Sequence, residues 1–189
     1  HDLIIIGGGP AGLTAAIYAG RYRLDTVALE RMSPGGQIIL SPTIENYPGF
    51  PGGISTQELI GRFQKQAEES GVSFVSDEAL NISADESGKF PVYKIDTAGK
   101  GSYEAKAVII SSGARSKKLG VKGEDKFIGR GISYCATCDA PLFRNKDVYV
   151  VGGGDRAMEE AIYLAAYASS VTVIHRRQEF RASKILQER

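Results

Sequence analysis

The sequence predicts an α/β protein made of two Rossmann-type halves, the first carrying an antiparallel β-meander and the second incomplete. Three observations predict it. A buried-strand pattern, Asp2-Leu3-Ile4-Ile5-Ile6, runs straight into Gly7-Gly8-Gly9-Pro10-Ala11-Gly12 and then into helical periodicity. The same string returns at Asp147. Between the copies lies a block of β-rich segments separated by short turn sequences. The chain has 189 residues, 42% of them hydrophobic, which is enough for ordinary packed cores. Lys and Arg number 23 against 22 Asp and Glu, a net charge of +1, so no global field draws nucleic acid or an anionic membrane. No apolar run approaches the length of a membrane span.

The first half begins with a continuous apolar run, the pattern of a strand buried on both faces. Gly7, Gly9 and Gly12 fit G-x-G-x-x-G between that strand and the helix continuing through Leu13 to Ala19. The first glycine makes the turn, the second lets a pyrophosphate approach the backbone, and the third allows close helix–strand packing. Unpaired N–H groups at the helix start then face the phosphates. A second run, Thr26 to Leu29, ends in Glu30, placed 18 residues past Gly12, where a carboxylate accepts hydrogen bonds from ribose hydroxyls. This half therefore reads as a dinucleotide site. Pro34-Gly35-Gly36-Gln37 opens a loop, and Ile44 to Gly53 fits neither structural period. Ser55-Thr56-Gln57-Glu58 is a capping box for a helix marked by Leu59, Phe63 and Ala67 and ended by Gly71. Val72 to Val75 reads as a strand. Ala79 to Ala84, Pro91 to Thr97 and Tyr103 to Ile110 read as a meander, with turns at Asp85 to Gly88 and Ala98 to Gly101. The polar stretch Arg115 to Glu124 predicts the boundary between a first domain, 1–114, and a second, 115–189.

In the second half, Asp147 to Val151 leads into Gly152-Gly153-Gly154-Asp155-Arg156-Ala157 and a helix through Leu164. A constant offset, Gly7 onto Gly152, also sets Gly9 on Gly154 and Ala16-Ile17-Tyr18 on Ala161-Ile162-Tyr163 without a gap. Gly12 falls on Ala157, an allowed variant, and Glu30 falls on His175. Here the strand Val171 to Ile174 ends in His175-Arg176-Arg177, with Arg181 close behind. Guanidinium groups bind a 2′-phosphate that a carboxylate would repel, so this half should prefer NADPH to NADH. A solvated basic loop is the plainer reading; register with Glu30 counts against it.

Ser133-Tyr134-Cys135-Ala136-Thr137-Cys138-Asp139 holds both cysteines. Cysteines at i and i+3 at a helix start can reach disulfide distance, and a thiolate there is favoured by the aligned peptide dipoles. A zinc site usually needs four ligands, but the chain has no third cysteine and only His1 and His175 as histidines, so no metal is assigned. Two inert buried cysteines remain the other reading. The flanking nucleotide signatures favour a redox couple, whose spacing suits a reducing, cytoplasmic compartment. Nicotinamide delivers a hydride and thiols react one sulfur at a time. FAD, which mediates between them, is therefore expected in the acid-terminated first half.

With Cys135-Ala136-Thr137-Cys138-Asp139, Gly35-Gly36-Gln37 with Glu45 to Gly49, and His175-Arg176-Arg177 with Phe180-Arg181-Ala182 in place, residues 2–189 resemble the low-molecular-weight thioredoxin reductases. The resemblance implies an NADPH-dependent FAD flavoenzyme that reduces thioredoxin and forms a homodimer. It implies that Gly7, Gly9, Pro10, Ala11, Gly12, Glu30 and Arg31 hold the FAD pyrophosphate and ribose, with Gly36, Gln37, Asn46 and Gly113 completing that site. Gly152, Gly154, Asp155, Arg156, Ala157, His175, Arg176, Arg177 and Arg181 would hold NADPH. Cys138 would lie against the flavin, Cys135 would attack the thioredoxin disulfide, and Asp139 would handle protons. Arg156 stands where the family usually has Ser or Thr, beside the pyrophosphate, where it either adds a phosphate contact or crowds one. The family continues past the position of Arg189, so residues 1–189 alone are expected not to turn over. A peroxiredoxin- or ferredoxin-linked flavin reductase, or a flavin-binding module without turnover, are the alternative readings.

Overall fold

In the structure, a computed structural model describing residues 1–99 and 101–189, the chain folds into two units, His1–Arg115 and Ser116–Arg189. The first unit runs β1 (Leu3–Ile6), α1 (Pro10–Arg21), β2 (Thr26–Glu30), β3 (Thr43–Ile44), β4 (Ile54–Ser55), α2 (Thr56–Glu69), β5 (Ser73–Ser76), β6 (Ala79–Asp85), β7 (Val92–Thr97), β8 (Ser102–Ala105) and β9 (Ala107–Ile110). Strands β5, β2, β1 and β9 form a parallel sheet in that order, with β1 at its centre.

The apolar run of β1 is explained by what covers each face. Leu3 and Ile5 pack with Ala16 and Ala19 of α1 and Ala67 of α2. Ile4 points the other way, into a cluster with Val27, Leu29, Ile95 and Ala105, where the meander lies over the sheet. A strand with helices on one face and a second sheet on the other has no solvated side, so its residues do not alternate in polarity. Pro10 suits the first helical position because its missing N–H would have no partner there. Ser55 caps α2 by accepting the Glu58 N–H at 3.2 Å, but the Glu58 carboxylate turns forward to Arg62 at 2.6 Å, so only half of the expected capping box forms. Gly71, at φ 95°, follows the end of α2.

One expectation needs correction. Tyr103 to Ile110 is not a single meander strand. β8 pairs antiparallel with β7, whereas β9 leaves the meander and pairs parallel with β1, Leu3 opposite Ala107. The chain changes sheets at Lys106, whose N–H bonds His1 O at 3.2 Å. The irregular stretch before α2 is closed by a two-residue ladder, β3 against β4. Within the expected turn Ala98 to Gly101, Lys100 lies outside the described residues.

The second unit runs α3 (Glu124–Phe127), α4 (Ala136–Asp139), β10 (Asp147–Val151), α5 (Asp155–Ala165), β11 (Ser170–Ile174) and α6 (Lys184–Glu188). β10 and β11 pair in parallel, Val148 opposite Val171. Leu3 opposite Thr26 is the same pair moved by the sequence offset, so the repeat extends to strand register. Ala161 and Leu164 of α5 pack with Val150, Ala136 and Ala140 on one face. Tyr149, Val151 and Ile174 of the same strands stay exposed, at 65%, 52% and 48%. Among the described residues, no helix is long and apolar enough to cross a membrane.

Candidate functional site

The first glycine cradle lies at the C-terminal end of β1. Gly7 turns at φ 105°, with its N–H on Leu29 O at 2.8 Å. A Cβ on Gly12 would lie 1.8 Å from Gly7 O, so the first turn of α1 sits directly on the strand end. Gly9 is different. Its backbone is extended, and an added Cβ would meet nothing nearer than Gly36 Cα at 3.8 Å. That open space beside the helix start is what a pyrophosphate requires.

Several expected residues converge on this cradle. The Gly35 N–H bonds Gly8 O at 2.8 Å, which brings Gly36 against Gly9, and Gln37 Nε2 donates to Ala114 O next to Gly113. Glu30 folds over Gly8, accepting its N–H at 2.7 Å on one carboxylate oxygen and the Met32 N–H at 3.0 Å on the other. The carboxylate is thereby oriented at the end of β2. Arg31 points toward Glu78, 3.5 Å away and half exposed. Asn46 is exposed on the loop between β3 and β4. Sequence reasoning assigns no role to the side chain of Ser111. Its hydroxyl lies 3.0 Å from both Ile6 O and Gly7 O and its N–H bonds Ile6 O at 2.8 Å, which fastens the end of β9 to the cradle.

The second cradle repeats this plan. The Gly152 N–H bonds Ile174 O at 3.0 Å, as Gly7 does Leu29 O, and Gly154 takes the open position, with no heavy atom within 4 Å of an added Cβ. Gly153 lies beneath His175: a Cβ there would be 2.4 Å from His175 Nδ1. The loop after β11 returns to the cradle, with the Arg181 N–H on Gly153 O at 2.7 Å and the Ser183 N–H on Asp155 Oδ1 at 2.6 Å. The His175 ring stacks near Phe180, with centroids 5.6 Å apart. Arg176, Arg177 and Arg181 are exposed, and among the described residues none of them is in an ion pair. Arg156 is engaged: Nε donates to Glu160 at 2.9 Å, Nη1 to Ser116 Oγ at 3.2 Å and Nη2 to Tyr134 O.

In the same unit Cys135 and Cys138 form a disulfide, with Cα atoms 5.3 Å apart. Cys135 is the N-cap of α4, and its sulfur accepts the Cys138 N–H at 3.2 Å. That N–H would stabilise a thiolate on Cys135 once the bond is opened. Ser133 organises the turn. It accepts the Cys135 N–H at 3.0 Å and donates to Asp139 Oδ2 at 2.6 Å, which fixes the acid relative to the sulfurs. Tyr134 is anchored by Glu124, which is 5% exposed and also accepts the Leu119 and Gly120 N–H groups at 2.7 Å each. The Tyr134 hydroxyl, then the Leu119 N–H, hold the Glu124 carboxyl below the usual carboxylate range, and the carboxylate pushes the Tyr134 phenol up. Sequence reasoning quoted Ser133 and Tyr134 without giving them a role, because their partners lie outside the motif.

The chain is 47% identical over 189 residues to the thioredoxin reductase of Bacillus subtilis and 46% identical to that of Peptoclostridium litorale, covering 100% of this chain and 58% of each relative. The crystal structure of Lactococcus lactis thioredoxin reductase in its FR conformation superposes with a TM-score of 0.90 at 41% identity, covering 100% of this chain and 60% of that one. The chain thus spans less than two thirds of the length of these relatives. The family model of the pyridine nucleotide-disulphide oxidoreductases matches residues 1–189, and the chain belongs to that family.

Proposed function

We propose that this chain is the FAD- and NADPH-binding part of a thioredoxin-disulfide reductase, with residues 1–114 serving FAD and 115–189 serving NADPH. The observation that carries the reading is the Cys135–Cys138 disulfide at a helix start, in the unit whose glycine cradle is overlain by His175 and followed by exposed arginines. The overall reaction balances as NADPH, a proton and a disulfide giving NADP⁺ and two thiols.

Each cradle fits a dinucleotide at its open glycine, Gly9 or Gly154, where a side chain would occupy the phosphate's place. Gly7, Gly9, Pro10, Ala11 and Gly12 would hold the FAD pyrophosphate, Glu30 the ribose, and Gly36, Gln37, Asn46 and Gly113 the flavin end. Bound FAD would supply the conversion of a hydride into an electron pair that a disulfide accepts. His175, Arg176, Arg177 and Arg181 would hold the NADPH 2′-phosphate. At the sulfurs, Cys135 is the nucleophile toward the protein disulfide because the Cys138 N–H steadies its thiolate. Cys138 then closes the internal disulfide. Asp139, held by Ser133, would handle the proton taken up by the departing substrate thiolate. A homodimer and a cytoplasmic setting belong to the same proposal and rest on the resemblance to thioredoxin reductases.

The test is Cys135→Ser in the full-length holoenzyme. NADPH-dependent reduction of thioredoxin should fall to background while FAD content and NADP⁺ binding stay at parental levels. Retained turnover would refute the assignment of the sulfur pair. An equal preference for NADH and NADPH in the parent would refute the cofactor assignment.

A further inference from the structure

All three nitrogens of Arg156 have partners, and those partners belong to three separate stretches of the second unit. Nε bonds Glu160 one turn along α5, Nη1 bonds Ser116 at the unit's first residue, and Nη2 bonds the carbonyl of Tyr134, the residue before Cys135. A planar guanidinium can span such a fork; a point charge cannot. Tyr134 is held at its other end as well, its phenol bound by the buried Glu124. Its carbonyl and its phenol are thus both held, and the Cys135 N–H continues from it to Ser133 Oγ at 3.0 Å. The side chain that sequence position would offer to a pyrophosphate is directed instead at the cysteine turn.

We propose that Arg156 is a positioning residue for the Cys135–Cys138 turn and not a phosphate ligand of the second cradle. The guanidinium braces the carbonyl that precedes Cys135 against α5, so the geometry of the sulfur pair is set from the first turn of the nucleotide-binding helix. Phosphate binding in this cradle is left to the backbone at Gly154 and to the exposed arginines that follow β11. The inference rests on the proposed redox role of the cysteines. NADPH-dependent turnover by the unmodified full-length holoenzyme tests that role separately.

The experiment compares Arg156→Ser and Arg156→Lys with the parent, all as full-length holoenzyme. Two readouts are taken: the equilibrium of the Cys135–Cys138 disulfide in buffers of oxidised and reduced dithiothreitol, quenched with a maleimide and weighed, and NADP⁺ binding to the oxidised protein by calorimetry. The disulfide equilibrium constant should change threefold or more in both variants, because lysine cannot reach three partners. The NADP⁺ dissociation constant should stay within threefold. A merely structural role would lower the unfolding midpoint without moving the disulfide equilibrium. The proposal is overturned if that equilibrium moves less than threefold in Arg156→Ser, if Arg156→Lys restores it, or if NADP⁺ affinity drops more than threefold.

Discussion

Gly9 and Gly12 stand three residues apart in one motif, yet replacing each with alanine should produce opposite results. At Gly12 the new Cβ would be 1.8 Å from Gly7 O and 2.8 Å from Ser111 Oγ. Backbone cannot be pushed aside cheaply, so α1 must withdraw by roughly 1.5 Å to restore contact distance. That helix buries Leu13 and Ala16 completely against the sheet, and a gap of that size forfeits about half or more of each dispersion contact. Overpacking of this kind costs about 3 kcal/mol at the upper end of its range, and alanine's helix propensity returns about 1 kcal/mol. The net loss is therefore about 2 kcal/mol. At Gly9 the backbone is at φ −73° and the nearest atom to a Cβ is 3.8 Å away, so alanine fits the apoprotein and gains about 0.5 kcal/mol through the unfolded chain. What Gly9→Ala occupies is the phosphate's approach, and FAD affinity should fall about tenfold or more, which is about 1.4 kcal/mol. Urea unfolding of the full-length apoprotein and FAD titration by flavin fluorescence separate the two effects. Parental FAD affinity in Gly9→Ala, or parental stability in Gly12→Ala, would refute this division of labour.

Three further outcomes follow from the same contacts. Ser55→Ala removes the oxygen that caps α2 and should lower stability by about 1 kcal/mol, read from the urea midpoint. Arg176→Ala with Arg177→Ala should weaken NADP⁺ binding about a hundredfold or more while leaving NAD⁺ affinity unchanged, because each charge-assisted bond to a phosphate contributes about 1.5–3 kcal/mol. Glu124 has a lowered folded pKa, so its stabilising contribution is complete above the ordinary carboxylate range and is lost as pH falls through the depressed folded value. The urea midpoint of the parent should accordingly drop on acidification more steeply than that of Glu124→Gln, and parallel curves would contradict the assignment.

What could be read from the sequence was whatever the chain encodes locally. The cradles were legible because a turn, an open approach and a close helix contact each demand glycine at a fixed spacing, and because the two copies align at one constant offset without a gap. Ser55 announced α2, but the turning of Glu58 toward Arg62 did not show in the pattern, since both bonds satisfy the same residues at helical spacing. The handover at Lys106 was missed because the apolar pattern runs on through it. What divides β8 from β9 is a partner at the chain's other end, His1 O for Lys106 and Asp2 O for Ala107. The braces around the site were equally hidden. Ser111 meets Gly7 across 104 residues and Arg156 meets Tyr134 across 22, and no local rule joins such positions.

The two cradles also show which parts of the glycine signature are tied to the fold and which to the turn. In both, the middle glycine lies under a residue at the end of the second strand, Glu30 as the last of β2 and His175 as the first after β11. A Cβ on Gly8 would be 3.2 Å from Glu30 Cβ, and one on Gly153 would be 2.4 Å from His175 Nδ1. The overlying side chain thus changes from acid to imidazole while the strand register and the N–H bond of the first glycine are kept. The third position behaves differently. Gly7 turns at φ 105° and directs its carbonyl at Gly12, whereas Gly152 is at φ 156° and its neighbour is the Ala157 methyl, 2.9 Å from where a Cβ on Gly152 would stand. Room for a methyl at the third position is therefore set by the turn that precedes it. On this reasoning Ala157→Gly should leave nucleotide affinity in the second cradle unchanged and lower α5 stability by about 1 kcal/mol, the ordinary helix-propensity difference. A gain in NADP⁺ affinity would mean instead that the methyl had been holding the helix away from its ligand.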